Sequence, residues 1–134
     1  MRGDTCDTSV LVPALIEDHP EHEAARAAMS SVTTLSAHVL LEAYSVLTRL
    51  PPPLRIGARE AGAAVAALRH EVVSLPPGRL RAFVETCARQ DISGGAVYDG
   101  MVAATAAHHD LRLFTRDRRA RTTYERIGVR YAAL

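Results

Sequence analysis

Leu111-Arg112-Leu113-Phe114-Thr115-Arg116-Asp117 carries a short apolar run straight into an acid. The first five of these residues read as a buried strand, because the run is too short for a helix and mostly apolar. On its N-terminal side Ser93-Gly94-Gly95 makes a break, and the next stretch, Ala96 to His109, has a helical pattern. On its C-terminal side come a short helix at Arg118 to Glu125 and a last strand at Gly128 to Ala132. The same alternation runs through the earlier chain. Strands are expected at Thr5 to Val10, Val32 to Ser36 and Glu71 to Leu75. Helices are expected at Val12 to Glu17, Pro20 to Met29 with Pro20 in the first turn, Leu54 to Leu68 and Arg79 to Gln90. Ser36 is placed to cap a helix that starts at Ala37 and ends before Pro51-Pro52-Pro53. Strands alternating with helices predict an α/β fold, a three-layer α/β/α sandwich around a central, mostly parallel sheet of about five short strands. All 134 residues form one domain in this reading, residues 1–134.

Composition narrows the function. Hydrophobic residues make up 48% and charged residues 23%, as in an ordinary globular protein. Aromatics are only 4%, with no Trp, which disfavours a platform of many stacking rings. The formal charge is +1, far from that of a polybasic nucleic-acid or membrane protein. All 16 cations are Arg. Without Lys there is no phosphate-binding P-loop and no Schiff-base enzyme. Cys6 and Cys87 make no C-x-x-C pair and read as buried thiols in a reducing compartment. Asp4 and Asp7 stand where a secretion signal needs basic and then apolar residues, and no apolar stretch is long enough to span a membrane. A cytoplasmic protein is expected.

Four acids occupy positions that carry chemistry. Asp7 falls in the first expected strand, where Asp is disfavoured, and Thr8 and Ser9 follow it. It reads either as the N-cap of the first helix or as a site residue at a strand end, where open α/β sheets bind ligands. Glu42 borders the apolar face of its helix (Val39, Ala43, Val46, Leu47, Leu50) and reads alone as a solvated acid beside Arg49. Asp99 either complements its helix dipole or faces a gap left by the small residues Ala103 and Ala106. Asp117 is a helix cap or, if the first and Leu111–Thr115 strands are neighbours, lies beside Asp7 and Thr115. Converging carboxylates stay ionised together only with a cation, and oxygen ligands without His or Cys suit Mg²⁺ or Mn²⁺ rather than zinc.

Cys6-Asp7-Thr8-Ser9-Val10-Leu11-Val12, Glu42 on its helix, Tyr98-Asp99 before Val102-Ala103-Ala104-Thr105-Ala106, and Leu113-Phe114-Thr115-Arg116-Asp117 together resemble the ordered signature of PIN-domain nucleases. Length and compactness resemble the VapC-type toxins of bacterial toxin–antitoxin pairs, over nearly the whole chain. The resemblance implies a metal-dependent endoribonuclease kept silent by a cognate antitoxin. It assigns catalysis and Mg²⁺ or Mn²⁺ binding to Asp7, Glu42, Asp99 and Asp117, with Thr8 and Thr115 in support. Asp7 and Asp99 are expected as direct ligands, Glu42 next, and Asp117 mainly through water. The chain departs from the family where Arg118 and Arg119 replace a further acid found in many relatives.

Arg112, Arg116, Arg118, Arg119 and Arg121 cluster near Asp117 and read as RNA phosphate contacts, an antitoxin-binding groove or a solvated face. Asp4 is a peripheral acid or part of a frayed end. His108-His109 suits a helix C-terminus, His19 and His22 make no zinc motif, and the three prolines form a stiff turn. The apolar stretch Ala58 to Leu68 serves either self-association as a homodimer or plain core packing. The competing function is a non-catalytic PIN-like module that binds RNA or antitoxin. An aspartyl phosphatase lacks its D-x-D, since Asp4 and Asp7 are three apart, and its Lys.

Overall fold

The computed structural model describes residues 2–134. Among these, five strands alternate with seven α-helices: β1 (Gly3–Cys6), α1 (Thr8–Leu15), α2 (His22–Met29), β2 (Thr34–Ser36), α3 (Ala37–Arg49), α4 (Ala58–Ala66), β3 (Glu71–Val73), α5 (Leu80–Arg89), α6 (Ala96–His108), β4 (Leu111–Thr115), α7 (Ala120–Ile127) and β5 (Tyr131–Ala133). A 3₁₀ turn at Pro77–Arg79 leads into α5.

Every strand pairing is parallel. β1, β4 and β5 form one ladder and β2 and β3 another. The two meet at a single bridge between Asp4 and Val32, where the Thr33 N–H donates to the Asp4 carbonyl at 3.1 Å. Across this seam the order is β3-β2-β1-β4-β5. The chain leaves β1 toward β2 on one side, while β4 leads to β5 on the other. Right-handed crossovers therefore put α1 and α2 on one face and α7 on the opposite face. Side chains agree: Cys6 meets Met29 of α2 (Sγ–Sδ 3.5 Å), whereas Thr115, one residue out of phase with Phe114, faces Tyr124 of α7 through Asp7. The order reverses between β1 and β4, and the crevice outside their carboxyl ends is where such a sheet accepts ligands.

The core is aliphatic, as the scarcity of aromatics requires. Val10, Leu11, Leu35, Val39, Leu47 and Leu113 are fully buried. The small face of α6 is real: Ala103 and Ala106 are buried, and at Gly100 a Cβ would come within 3.3 Å of the Phe83 ring. Gly128 ends α7 at φ 87°, a left-handed conformation open to Gly, and its N–H donates to Tyr124 O at 3.0 Å.

Several boundaries differ from the sequence expectation. β1 ends at Cys6 instead of Val10, and Val10-Leu11-Val12 are buried helix positions. Asp7 does not interrupt a strand. It caps α1, which begins at Thr8 rather than Val12 because the cap satisfies its free N–H groups. Pro20 lies outside α2, which starts at His22. α4 spans only Ala58–Ala66, and α7 starts two residues after Arg118. β5 starts at Tyr131 because Gly128 terminates the preceding helix. Asp4 is not frayed: it is paired within β1 against Arg112.

Candidate active site

Asp7 is the centre of the site. It follows β1 directly, its N–H donates to Phe114 O on β4 (3.2 Å), and it is 5% exposed. Both carboxylate oxygens are held twice. Oδ1 accepts the Ser9 N–H at 3.0 Å and the Ser9 hydroxyl at 2.5 Å. Oδ2 accepts the Thr115 hydroxyl at 2.5 Å and the Tyr124 hydroxyl at 2.6 Å. Burial pushes the Asp7 carboxyl up from its ordinary range, and the donors from Ser9, Thr115 and Tyr124 pull it back. N-cap and site residue are thus one role: the cap geometry aims the carboxylate across the β1–β4 crevice.

The remaining acids sit on the elements around the crevice. Thr115 Oγ1 accepts the Asp117 N–H at 3.0 Å, and Asp117 Oδ1 accepts the Arg119 N–H at 2.9 Å. Asp117 thus closes the loop after β4 rather than capping α7, whose N-cap position is Arg119. Glu42 does not pair with Arg49. Its Oε1 accepts the Thr8 hydroxyl at 2.9 Å, and its Oε2 lies 3.9 Å from His38 Nε2. Arg49 instead reaches Ser45 at 3.5 Å. Asp99 is half-buried, and its carboxyl is pushed up to about 6 by burial and then by the charges of Asp117, Glu42 and Asp7. The four acids therefore share one electrostatic neighbourhood.

Their donor set is all hard oxygen, and their mutual repulsion at Asp99 is the stress a divalent cation relieves, so the residues fit Mg²⁺ or Mn²⁺ by chemistry. Among the described residues, however, no three His, Cys, Asp or Glu side chains are drawn together as a ready ligand set.

The arginines divide. Arg112 forks onto Asp4 (Nε–Oδ1 2.9 Å, Nη2–Oδ2 3.2 Å) and lies 4.9 Å over the Phe114 ring, near the start of β4 and three residues before Thr115. Arg116 pairs with Glu21 at 2.6 Å. Arg118 and Arg119 are exposed beside Asp117. A cavity of about 430 Å³, lined by Ile16, Asp18 and Arg55 among others, contains none of the four acids.

Two residues of the site have roles that the sequence does not assign: Ser9, visible only as a polar neighbour of Asp7, and Tyr124. Ser9 carries a bond to each side of the crevice, since it also accepts the Arg116 N–H at 2.7 Å. Its position two residues after an acid is an N-cap signal. Tyr124 is fully buried, and burial and the adjacent Asp7 charge keep its hydroxyl protonated well beyond its ordinary range. A lone Tyr on an amphipathic helix gives no sign of that role.

A parallel sheet with Asp7 and Asp117 at the carboxyl ends of its neighbouring strands β1 and β4 frames the comparison with known proteins. Residues 5–126 match the PIN domain, and the chain belongs to the PIN-domain family. It is 43% identical over 124 residues to ribonuclease VapC40 of Mycobacterium tuberculosis, covering 92% of each chain, which puts it among the VapC-type toxins. Its fold matches that of Mycobacterium tuberculosis VapC20, described as a sarcin-ricin loop cleaving toxin, with a TM-score of 0.71 at 22% identity, over 93% of this chain and 95% of that one. FitAcB from Neisseria gonorrhoeae matches with a TM-score of 0.64 at 21% identity, over 95% and 94% of the two chains.

Proposed function

We propose that this chain is an endoribonuclease, the toxin of a toxin–antitoxin pair, hydrolysing RNA phosphodiester bonds at the Asp7–Glu42–Asp99–Asp117 cluster with Mg²⁺ or Mn²⁺ bound. The observation that carries this reading is the meeting of Asp7, Asp117 and the Thr8-held Glu42 near the β1–β4 crevice, where burial and then the charges of Asp117, Glu42 and Asp7 push the Asp99 carboxyl up to about 6. Kinship to ribonuclease VapC40 supports the same reaction class.

Asp7 and Asp99 would be the direct ligands, with Glu42 beside them and Asp117 acting through water. A bound divalent ion there polarises a phosphodiester oxygen and lowers the pKa of water. The protein's own groups do the rest. Ser9, Thr115 and Tyr124 fix the Asp7 carboxylate in one orientation, and the 2.9 Å bond from Thr8 does so for Glu42. Arg118 and Arg119, exposed beside Asp117, face the RNA phosphates. Arg112 and Arg116 are already held by Asp4 and Glu21, so their contribution to RNA is smaller.

Purified protein incubated with structured RNA and Mg²⁺ tests the reading. Cleavage leaving 5′-phosphates is expected, abolished by EDTA and by Asp7→Asn. Equal cleavage in wild type and Asp7→Asn, indifferent to EDTA, overturns it. The four donors that already occupy Asp7 favour a second reading, a non-catalytic module that binds RNA or antitoxin. Calorimetry with Mn²⁺ separates the two, since that module takes up no metal.

The partners follow from the toxin reading: a cognate antitoxin, and a second copy of the chain. An apolar groove of about 410 Å³ between α3 and α4, lined by Leu40, Leu41, Tyr44 and Val65 among others, supports the homodimer, with Leu41 71% exposed. Among the described residues no helix is long and apolar enough to cross a membrane. A cytoplasmic site of action is part of the same proposal.

A further inference from the structure

Tyr98 is 57% exposed, unusual for so large a ring in a chain with so few aromatics. Its ring lies flat on the imidazole of His38, with centroids 5.6 Å apart and planes 7° from parallel. The two rings are parallel but offset, so His38 meets only part of Tyr98, and more than half of the residue stays exposed. The stack also ties α6 to α3 beside the carboxylates. His38 stands one turn before Glu42, and Tyr98 immediately precedes Asp99. The His38 Nε2 is buried with no hydrogen-bond partner among the described residues and lies 3.9 Å from Glu42 Oε2, which keeps the imidazole beside the carboxylates. A ring serving only the core would be covered. This one contacts His38 and stays largely exposed, next in sequence to Asp99.

We propose that the open face of Tyr98, backed by His38, stacks one unpaired nucleobase of the RNA next to the carboxylate cluster. This deepens the ribonuclease reading and rests on it. A single strand or loop can splay a base outward, which a paired A-form helix cannot. Every base has a π-face, so this contact grips RNA without reading its sequence, while Arg118 and Arg119 hold phosphates.

The test is binding without cleavage. Fluorescence anisotropy compares a labelled oligouridylate with an abasic ribose-phosphate oligomer of the same length. Both are measured in Ca²⁺, which takes the same oxygen ligands but not Mg²⁺'s strict octahedral geometry. Wild type should prefer the base-bearing oligomer. Tyr98→Ala should weaken its binding by about tenfold and leave the abasic oligomer unchanged. Tyr98→Phe should bind as wild type does, and Tyr98→Trp more tightly. The proposal is overturned if wild type does not discriminate the oligomers, or if Tyr98→Ala changes neither affinity or lowers both equally. Because cleavage is not read, a wild type that discriminates the oligomers yet cuts no RNA in Mg²⁺ sustains the stacking and ends the ribonuclease reading.

Discussion

Removing a single oxygen, in Tyr124→Phe, isolates how the buried Asp7 charge is held. The hydroxyl lost is fully buried and donates to Asp7 Oδ2 at 2.6 Å, while the Thr115 hydroxyl remains on the same oxygen at 2.5 Å. A hydrogen bond to a charged group contributes about 1.5–3 kcal/mol, and with one donor left in place we expect a loss of about 2 kcal/mol, or about 6–10 °C in Tm. The loss should depend on pH. The folded carboxyl of Asp7 lies above its unfolded value, because burial opposes the charge. Ionising it therefore costs stability as pH rises through the folded value, and below the unfolded value the cost is absent. Tyr124→Phe raises the folded value further, so its deficit is largest when Asp7 is ionised. It should shrink to about 1 kcal/mol, that of a neutral hydrogen bond, once Asp7 is protonated. Urea unfolding followed by circular dichroism in EDTA, from neutral to acid pH, measures this directly. A deficit that is constant across pH, or below about 0.5 kcal/mol at neutral pH, would refute the argument.

Asp99→Asn should stabilise the metal-free protein while abolishing cleavage. The folded Asp99 carboxyl is pushed up to about 6, so its ionisation costs stability above that pH and costs nothing below the unfolded value near 4. After discounting for partial exposure, thermal melts at pH 8 in EDTA should show a gain of about 1–2 kcal/mol that vanishes at pH 4. Replacing both Arg118 and Arg119 with Ala should flatten the salt dependence of RNA binding, whereas Arg112→Ala should change it less and lower stability slightly by removing the Asp4 pair. Leu41→Asp should convert a dimer to a monomer in sedimentation, and a wild type already monomeric at high concentration removes the α3–α4 groove from the argument.

What could be read beforehand was local. β4 was visible as an apolar run with an acid beyond it, and α6 as a pattern opened by Gly94-Gly95. The Ser36 cap on Val39 N, at 3.2 Å, is chemistry between residues three apart. The first strand was overextended because Val10-Leu11-Val12 suits a buried strand or a buried helix equally, and only the Asp7 cap decides. Helix geometry alone offers Glu42 only neighbours on its own helix, such as Arg49, whereas Thr8 lies 34 residues away. Arg112 looked available to RNA because its partner, Asp4, comes 108 residues earlier, on the adjacent strand.

Residue order by itself specifies an α/β chain, its aliphatic core, and four acids at strand ends and helix edges, since periodicity, caps and turn residues act over a few positions. Folding alone decided which hydroxyls grip Asp7, which arginines are spent on internal ion pairs, and that Tyr98 lies open on His38. Those outcomes depend on distances between residues tens of positions apart, and parallel strands set such distances only once the β1–β4 register is closed.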